Sequence, residues 1–312
     1  MDRMKILYVA GSGRCGSTLL GSALEQIDGF FSPGELINLW DRGIIDQHPC
    51  GCGMTLERCE LWGRVVRQVA GEDPYTRASE MTKLHRAVGR TRHLPLLMSE
   101  VGRRRLMTGI ELYVATLDDL YSSIRRTTGA RVLVDGSKDP SYAQLLRLAP
   151  SLEVYVLHLV RDPRAVVFSW QRRKELFPTA TSEAPKVYME QHRVVKSTTY
   201  WMGLNLGIEA MRRQLAPNRY LRITYEDFIR EPVAHLEGIM ALLDIDIDSF
   251  PFVHDHELTL RPNHSVSGNP SRFATGTVKL RADDEWRRRM HARHKRLVTL
   301  LSWPLSHRYG YV

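Results

Sequence analysis

A short apolar strand that runs into a glycine loop and then a helix constrains this chain more than any other feature. Residues 5–10 are rich in β-forming side chains and end at Gly11-Ser12-Gly13, which is typical of a buried strand followed by a tight turn. After Ser17, apolar side chains recur at helical spacing, at Leu19, Leu20, Ala23, Leu24 and Ile27. This strand, loop and helix form a building block of α/β sheets.

Three further apolar segments, at residues 131–134, 154–160 and 220–223, alternate with stretches long enough for crossover helices. The alternation predicts an α/β, P-loop-like three-layer fold in which a central, mostly parallel sheet is flanked by helices. Helical insertions are expected as well, above all at residues 76–128. We predict a single domain, 1–312, with helices at about 185–215 and 282–297 and a closing loop at 262–270.

The composition, with 43% hydrophobic and 25% charged residues, excludes intrinsic disorder. Forty-four basic against thirty-five acidic residues leave a net charge of +9, which predicts an anionic partner: a phosphorylated cofactor, nucleic acid or an acidic membrane surface. The apolar runs are far shorter than the ~18 residues that a membrane span needs. With no signal peptide recognised either, we expect a cytoplasmic protein.

The glycine loop, residues 11–18, has the spacing of a P-loop but carries Ser17 where a P-loop has lysine. In nucleoside-triphosphate enzymes that lysine contacts the β- and γ-phosphates. Here the cation is Arg14, inside the loop. Backbone N–H groups at the start of a helix, together with Arg14, Ser17 and Thr18, still form an anion site, and we expect its ligand to lack a metal-bound triphosphate.

A second anion site is predicted after the strand at residues 154–160. Arg161 ends that strand, Asp162 is a good helix N-cap, and Pro163 suits the first helical position. Ser169 follows two helical turns later and shares a face with the helix start. Since open α/β sheets bind ligands at the carboxyl ends of their strands, Arg161 and Ser169 are expected to bind one anion.

Together the two motifs resemble the sulfotransferases that use 3′-phosphoadenosine 5′-phosphosulfate (PAPS), in particular the bacterial, carbohydrate and tyrosylprotein branches. The resemblance implies that the loop binds the 5′-phosphosulfate and that Arg161 and Ser169 bind the 3′-phosphate. It also implies an acceptor hydroxyl on a small molecule or carbohydrate. Cys15 departs from the family, in which serine is usual at this position. The loop residues concerned are Gly13, Arg14, Cys15, Gly16, Ser17 and Thr18, and the similarity extends through Ser32–Glu35, Asp135–Pro140, Tyr225–Phe228 and Gly268–Phe273.

The two anion sites suit PAPS, whose 3′-phosphate and phosphosulfate are separate anions. Because a sulfuryl group carries less negative charge than a phosphoryl group, protein donors such as Arg14 and Lys138 can stabilise its in-line transfer, and no metal is expected to be required. The resemblance assigns Lys138 to the leaving 5′-phosphate and the sulfuryl oxygens. It implies Glu35 as the general base for the acceptor hydroxyl. The alternatives are a capping role for Glu35 on a helix at 36–40, and His264 or His48 as the base.

Three further residues are assigned to the nucleotide. Tyr225 matches a family position near the adenine, although a core aromatic fits the sequence equally well. Arg272 and Arg173 are placed to contact the 3′-phosphate or to close over the nucleotide. The acceptor pocket is expected to come from residues 76–128 and 172–199.

Three cysteines, Cys50, Cys52 and Cys59, are crowded after His48. Cys-x-Cys is not the usual spacing of a structural zinc pair. Reduced packing thiols are therefore favoured over a zinc site or a Cys50–Cys59 disulfide.

Two other functions compete with sulfuryl transfer. A P-loop small-molecule or nucleoside kinase shares the sheet and the glycine loop, but Ser17 in place of lysine argues against it. A nucleic-acid-binding protein is suggested by the net charge and by the arginine runs at 103–105 and 287–289. No zinc finger or nucleic-acid-binding aromatic strand supports that second alternative, so no nucleic-acid partner is expected.

Overall fold

The computed structural model describes residues 3–177 and 186–312. Its central sheet has five strands, all parallel, in the order β2-β3-β1-β4-β5. The strands are β1 Met4–Gly11, β2 Phe30–Gly34, β3 Val132–Lys138, β4 Leu152–Val160 and β5 Tyr220–Thr224. Helices flank this sheet, so the predicted α/β fold with a parallel sheet is confirmed.

The helices fall mainly into three groups along the chain. Between β1 and β3 lie α1 Ser17–Leu24, α2 Glu60–Ala70, α3 Pro74–Leu84, α4 Leu94–Leu97, α5 Glu100–Arg105 and α6 Met107–Thr128. Between β3 and β5 lie α7 Pro140–Leu146, α8 Pro163–Gln171 and α9 Val194–Arg212. After β5 come α10 Tyr225–Arg230, α11 Pro232–Leu243, α12 Glu285–Arg289 and α13 Ala292–Arg308. A 3₁₀ turn at Leu36–Asn38 and a π-helix at Leu39–Ile45 follow β2.

Alternation along β1 divides the core into two layers. Ile6 and Tyr8 point to the layer formed with α2, α3, α6 and α7, whereas Leu7 and Val9 point to the layer formed with α1 and α11. All four side chains are fully buried. Successive side chains of a strand face opposite sides of the sheet, so a continuous apolar run is what a strand covered on both faces requires.

The helical insertion at 76–128 belongs to the first of these layers. Leu117, Tyr121 and Ile124 of α6 are fully buried there. The Tyr121 hydroxyl donates a hydrogen bond to the carboxylate of Asp135 in β3. The insertion therefore completes the core on one face of the sheet.

Two helix predictions differ from the structure. The helix expected at 185–215 is Val194–Arg212, and its expected first residue lies outside the described ranges. The prediction of a single helix at 282–297 is wrong, because Met290 and His291 have extended backbone and separate α12 from α13. The sequence analysis also missed a small antiparallel sheet of β6 Val253–His254, β7 Glu257–Leu260 and β8 Gly276–Lys279.

Across the described residues, none of the helices combines the length and the apolar character needed to cross a membrane.

Candidate active site

The carboxyl ends of the five parallel strands border one cleft of about 1510 Å³, part of it open to solvent. The chain adds strands on one side of β1 and then, after β3, on the other, which makes β1 and β4 the switch point of the sheet. Ligands of open α/β sheets bind at such a point. Each strand contributes a residue at or just after its end: Arg14, Glu35, Lys138, Arg161 and Tyr225.

The glycine loop turns sharply between β1 and α1. Arg14 and Gly16 both have positive φ, 71° and 101°. Gly16 is the N-cap of α1, whose first turn has no acidic residue. At Gly13 a Cβ would lie 2.6 Å from the Trp170 ring, and a Cβ at Gly16 would clash with the Tyr225 ring. The close packing explains why glycine is needed here, and the helix start leaves backbone N–H groups available for an anion.

Arg14 is held beside the cleft by contacts with an aromatic ring and a sulfur atom. Its guanidinium lies 4.7 Å from the Trp170 ring, and its Nη1 donates to the Met189 sulfur at 3.1 Å. Its Nε and Nη2 are buried and have no hydrogen-bond partner among the described residues. Burial lowers the pKa of Arg14, while the nearby Glu35 carboxylate acts to raise it. Leaving buried donors unpaired costs free energy, so this arrangement favours a bound anion.

Arg161 is the second cation of the cleft and is buried, with 6% of its surface exposed. Its Nη1 donates to the Arg14 carbonyl at 2.9 Å, and its Nη2 donates to the Asp283 carboxylate at 2.8 Å. The guanidinium lies 4.5 Å from the Tyr225 ring, and its Nε has no partner in the described part of the chain. Ser169 is buried and lines the same cleft. The structure thus brings the two predicted anion motifs together.

Glu35 and Lys138 form an ion pair on the opposite side of β1. Lys138 Nζ donates to Glu35 Oε1 at 2.6 Å and to the Gly136 carbonyl at 2.8 Å. Asn38 Nδ2 donates to Glu35 Oε2 at 2.8 Å. Glu35 precedes a 3₁₀ turn but makes no side-chain cap with it. Its carboxylate is oriented by Lys138 and Asn38 beside the cleft.

Three residues expected at the nucleotide do not line the cleft. Cys15 is fully buried in the core with α1. Arg272 is also buried, and its guanidinium donates to the carbonyls of Ser265 and Pro49. The Arg173 guanidinium lies over the Tyr188 ring at 3.7 Å.

The cleft lining contains residues that the sequence analysis missed. Lys174 directly follows Arg173, and both residues lie beyond the end of α8 at Gln171. Burial and the nearby Arg14 and Arg172 lower the pKa of Lys174. The other lining residues not predicted include Arg42, Tyr200, Asn269 and Asp283.

The expected acceptor region is only partly present in the lining. Lys174 and Met189 come from residues 172–199, whereas no described residue from 76–128 lines the cleft. The insertion contacts a cleft-lining residue through the Thr91 hydroxyl, which donates a hydrogen bond to the Asp139 carboxylate. Part of the 172–199 region, residues 178–185, lies outside the described residues.

The two histidines considered as alternative bases also lie outside the cleft lining. The His48 ring packs edge-on against Phe177, with ring centroids 5.0 Å apart. His264 Nδ1 lies 3.3 Å from the Cys59 sulfur. Of the three candidate bases, only Glu35 lines the cleft with Arg14 and Lys138.

Comparison with known proteins gives three results. A model described as the sulfotransferase family matches residues 7–249. Among solved structures, the chain is similar to the sulfotransferase domain from the Synechococcus PCC 7002 olefin synthase, with 20% identity, a TM-score of 0.56, and coverage of 100% of this chain and 96% of that one. The sulfotransferase domain from the curacin biosynthetic pathway has 19% identity and a TM-score of 0.49, over 97% of this chain and 98% of that one. No curated protein matches the chain.

Proposed function

Because this chain belongs to the sulfotransferase family, we propose that it transfers a sulfuryl group from PAPS to a hydroxyl of a small-molecule or carbohydrate acceptor. Residues 1–312 would act as a single sulfotransferase domain. The observation that carries the proposal is the pair of arginines at the switch point, Arg14 and Arg161, whose buried and unpaired N–H groups border one cleft.

The cleft suits a ligand with two separate anionic groups. The glycine loop with Arg14, Ser17 and Thr18 would hold the phosphosulfate at the start of α1. Arg161 and Ser169 would hold the 3′-phosphate, with the Tyr225 ring against the Arg161 guanidinium. Lys174, which the sequence analysis missed, adds positive charge to the same cleft.

When bound, PAPS supplies an activated sulfuryl group whose leaving group is its 5′-phosphate. Glu35 would accept the proton of the acceptor hydroxyl. Each carboxylate oxygen of Glu35 uses one lone pair in the hydrogen bond from Lys138 or Asn38, and a second lone pair remains for the proton. Lys138 donates two N–H groups within the described residues, which leaves the third for an anionic oxygen. Arg14 and Lys138 supply positive charge without a metal ion.

The acceptor would lie beside Glu35, where the lining combines apolar, aromatic and polar side chains. Ile37, Asn38 and Arg42 follow Glu35 along the chain, and Tyr200 comes from α9. Although 43% of the Tyr200 surface is exposed, desolvation and the Asp139 and Glu35 carboxylates raise the pKa of its hydroxyl, so the group stays protonated and can donate a hydrogen bond. A mixed lining of this kind suits a hydroxyl compound with both polar and apolar surface.

The proposal is tested by measuring sulfuryl transfer directly. The protein is incubated in EDTA with PAPS that carries labelled sulfur and with an extract of its producing cell, and the labelled product is identified by mass spectrometry. We expect transfer to a hydroxyl compound that persists in EDTA. Transfer of a phosphoryl group from ATP that depends on Mg²⁺, with none from PAPS, would instead support the kinase alternative.

A binding measurement tests the two-anion arrangement separately. Calorimetry should give tighter binding of 3′-phosphoadenosine 5′-phosphate than of AMP. The expected difference is roughly 1.5–3 kcal/mol, the contribution of charge-assisted hydrogen bonds to the additional phosphate. Equal affinities for the two nucleotides contradict the assignment of Arg161 and Ser169.

A further inference from the structure

Four side chains that can bind a metal lie together outside the cleft lining: Cys50, Cys52, Cys59 and His264. One possible ligand atom from each lies within 4.8 Å of all the others. His264 Nδ1 is 3.3 Å from Cys59 Sγ and 3.7 Å from Cys50 Sγ. All three cysteines are free thiols.

We propose that these three cysteines and His264 bind one structural zinc ion. Zinc takes tetrahedral sets of Cys and His, with Zn–S distances of about 2.3 Å and Zn–N distances of about 2.0–2.1 Å, which place neighbouring ligand atoms about 3.5–3.8 Å apart. The measured sulfur–nitrogen distances are close to that spacing. Four protein ligands leave no open coordination position, so the ion would stabilise the fold and take no part in sulfuryl transfer.

The backbone around Cys50 explains how an unusual Cys-x-Cys spacing can supply two ligands. Gly53 N–H donates to the Cys50 carbonyl at 2.8 Å, and Cys50 N–H donates to the Met54 carbonyl at 2.7 Å. Gly53 has a positive φ of 87°. The chain therefore makes a tight turn that carries Cys50 and Cys52 to the same point, and Cys59 follows immediately before α2.

The fourth ligand comes from a distant segment that is held in place independently. His264 lies 205 residues after Cys59 along the chain. The Trp62 indole donates to the His264 carbonyl at 2.5 Å, and Gly51 N–H donates to the Ser265 carbonyl at 2.9 Å. These bonds fix the segment at residues 263–269 beside the cysteine turn.

The same segment reaches the cleft. Val266 N–H donates to the Pro33 carbonyl at 2.8 Å, and Asn269 N–H donates to the Thr18 hydroxyl at 3.2 Å. A zinc ion at the cluster would cross-link the cysteine turn to the segment that packs on the glycine loop. We therefore expect metal removal to loosen that segment.

The first experiment measures metal content, which does not depend on the proposed activity. The full chain, expressed with zinc and without a polyhistidine tag, is analysed by inductively coupled plasma mass spectrometry, and Co²⁺ is added after zinc removal. We expect about one zinc per chain, and with Co²⁺ both a thiolate charge-transfer band and the intense visible absorption of a tetrahedral site. Substoichiometric zinc without these cobalt bands, or a Cys50–Cys59 disulfide by mass, would overturn the proposal and leave packing thiols or a disulfide.

Variants then test which residues bind the ion. Cys52 is exposed, so Cys52→Ser should fold while losing zinc affinity by at least tenfold. His264→Ala should lose it too, whereas His48→Ala, the histidine nearer in sequence, should keep one zinc per chain. Cys15→Ser is the matched thiol control and should also keep it. Full zinc affinity in the Cys52 and His264 variants, or its loss in the His48 variant, would contradict the assigned ligands.

Discussion

The two sides of the cleft differ in how their charges are paired. On the side of β1 and β4, Arg14 and Arg161 keep buried N–H groups without partners among the described residues. On the side of β2 and β3, Glu35 and Lys138 neutralise each other, and Asn38 holds the remaining carboxylate oxygen. The arginine side keeps unpaired N–H donors that an anion could accept, whereas the two opposite charges of the carboxylate side pair with each other.

This difference leads us to expect that the two sides of the cleft contribute differently to ligand binding and to catalysis. Unpaired buried donors cost free energy that a bound anion compensates, so we expect Arg161 to act mainly in binding, while Arg14 also stabilises the transferred group in the proposed function. A carboxylate fixed by a lysine and an amide is already in position before any ligand arrives, as a general base requires. Substitution of Glu35 should therefore lower turnover, whereas substitution of Arg161 should weaken nucleotide binding.

The largest expected effect is on the carboxylate side. Glu35→Gln should lower turnover on an alkyl alcohol by roughly 10²–10⁴, because glutamine keeps the size and hydrogen bonding of the side chain but accepts no proton. Steady-state sulfuryl transfer measures the loss, and calorimetry with 3′-phosphoadenosine 5′-phosphate should show nearly unchanged binding. Wild-type turnover in this variant would show that Glu35 is not the general base. A loss of nucleotide affinity as large as the loss of turnover would contradict the expected difference between the two sides of the cleft.

The opposite pattern is expected on the arginine side. Arg161→Ala should weaken binding of 3′-phosphoadenosine 5′-phosphate by roughly 10- to 150-fold, equivalent to about 1.5–3 kcal/mol, while AMP affinity changes much less. Arg173→Ala serves as the control, since its guanidinium lies over Tyr188 and not in the cleft lining. An equal loss of affinity for the two nucleotides would show that Arg161 does not bind the 3′-phosphate.

A pH dependence should distinguish the sides further. Because burial lowers the pKa of Lys174, this ammonium group loses its proton at a lower pH than an ordinary lysine. Affinity for an anionic nucleotide should be full below that pKa and fall by about fivefold as pH rises through it, the size of one net hydrogen bond. Calorimetry across alkaline pH measures the decrease, which Lys174→Met should abolish. A decrease of the same size in the methionine variant would assign the titration to another group.

The smallest expected effect comes from Asp283, whose carboxylate occupies an Arg161 N–H in the ligand-free protein. Asp283→Asn removes negative charge that competes with a phosphate, so affinity for 3′-phosphoadenosine 5′-phosphate should rise by about threefold, in the range of a partly exposed ion pair. Thermal unfolding of the ligand-free variant should occur at a slightly lower temperature. Weaker nucleotide binding in this variant would mean that Asp283 supports the ligand.

The sequence could predict the parts of the site that are local in the chain. Arg14 and Ser17 lie in one loop, and Arg161 and Ser169 lie within one strand end and helix, so spacing alone places them. Lys174 was missed because α8 ends before it. His264 could not be grouped with the cysteines, since only the folded chain brings residues 205 positions apart into contact.

Arg272 illustrates a different limit of sequence reasoning. A basic residue in a glycine-rich loop is typical of an anion site, but here two carbonyl groups accept its hydrogen bonds. Which partner a buried guanidinium finds depends on backbone that packs against it from elsewhere, in this case at Pro49 and Ser265. Which side chains of this loop line the cleft is therefore decided by packing that the sequence pattern does not show, and the role of Arg272 at the nucleotide stays a prediction.

The contact between Asn269 and Thr18 also has a consequence for the order of folding. It joins residues 251 positions apart, so the segment around Asn269 packs on a loop that is synthesised much earlier. Contacts of such large sequence separation form slowly, because closing the long loop between them costs chain entropy. During synthesis the glycine loop would lack this contact at least until residue 269 has emerged from the ribosome. In the proposed function, nucleotide binding would then begin only after the segment around Asn269 has packed on the glycine loop.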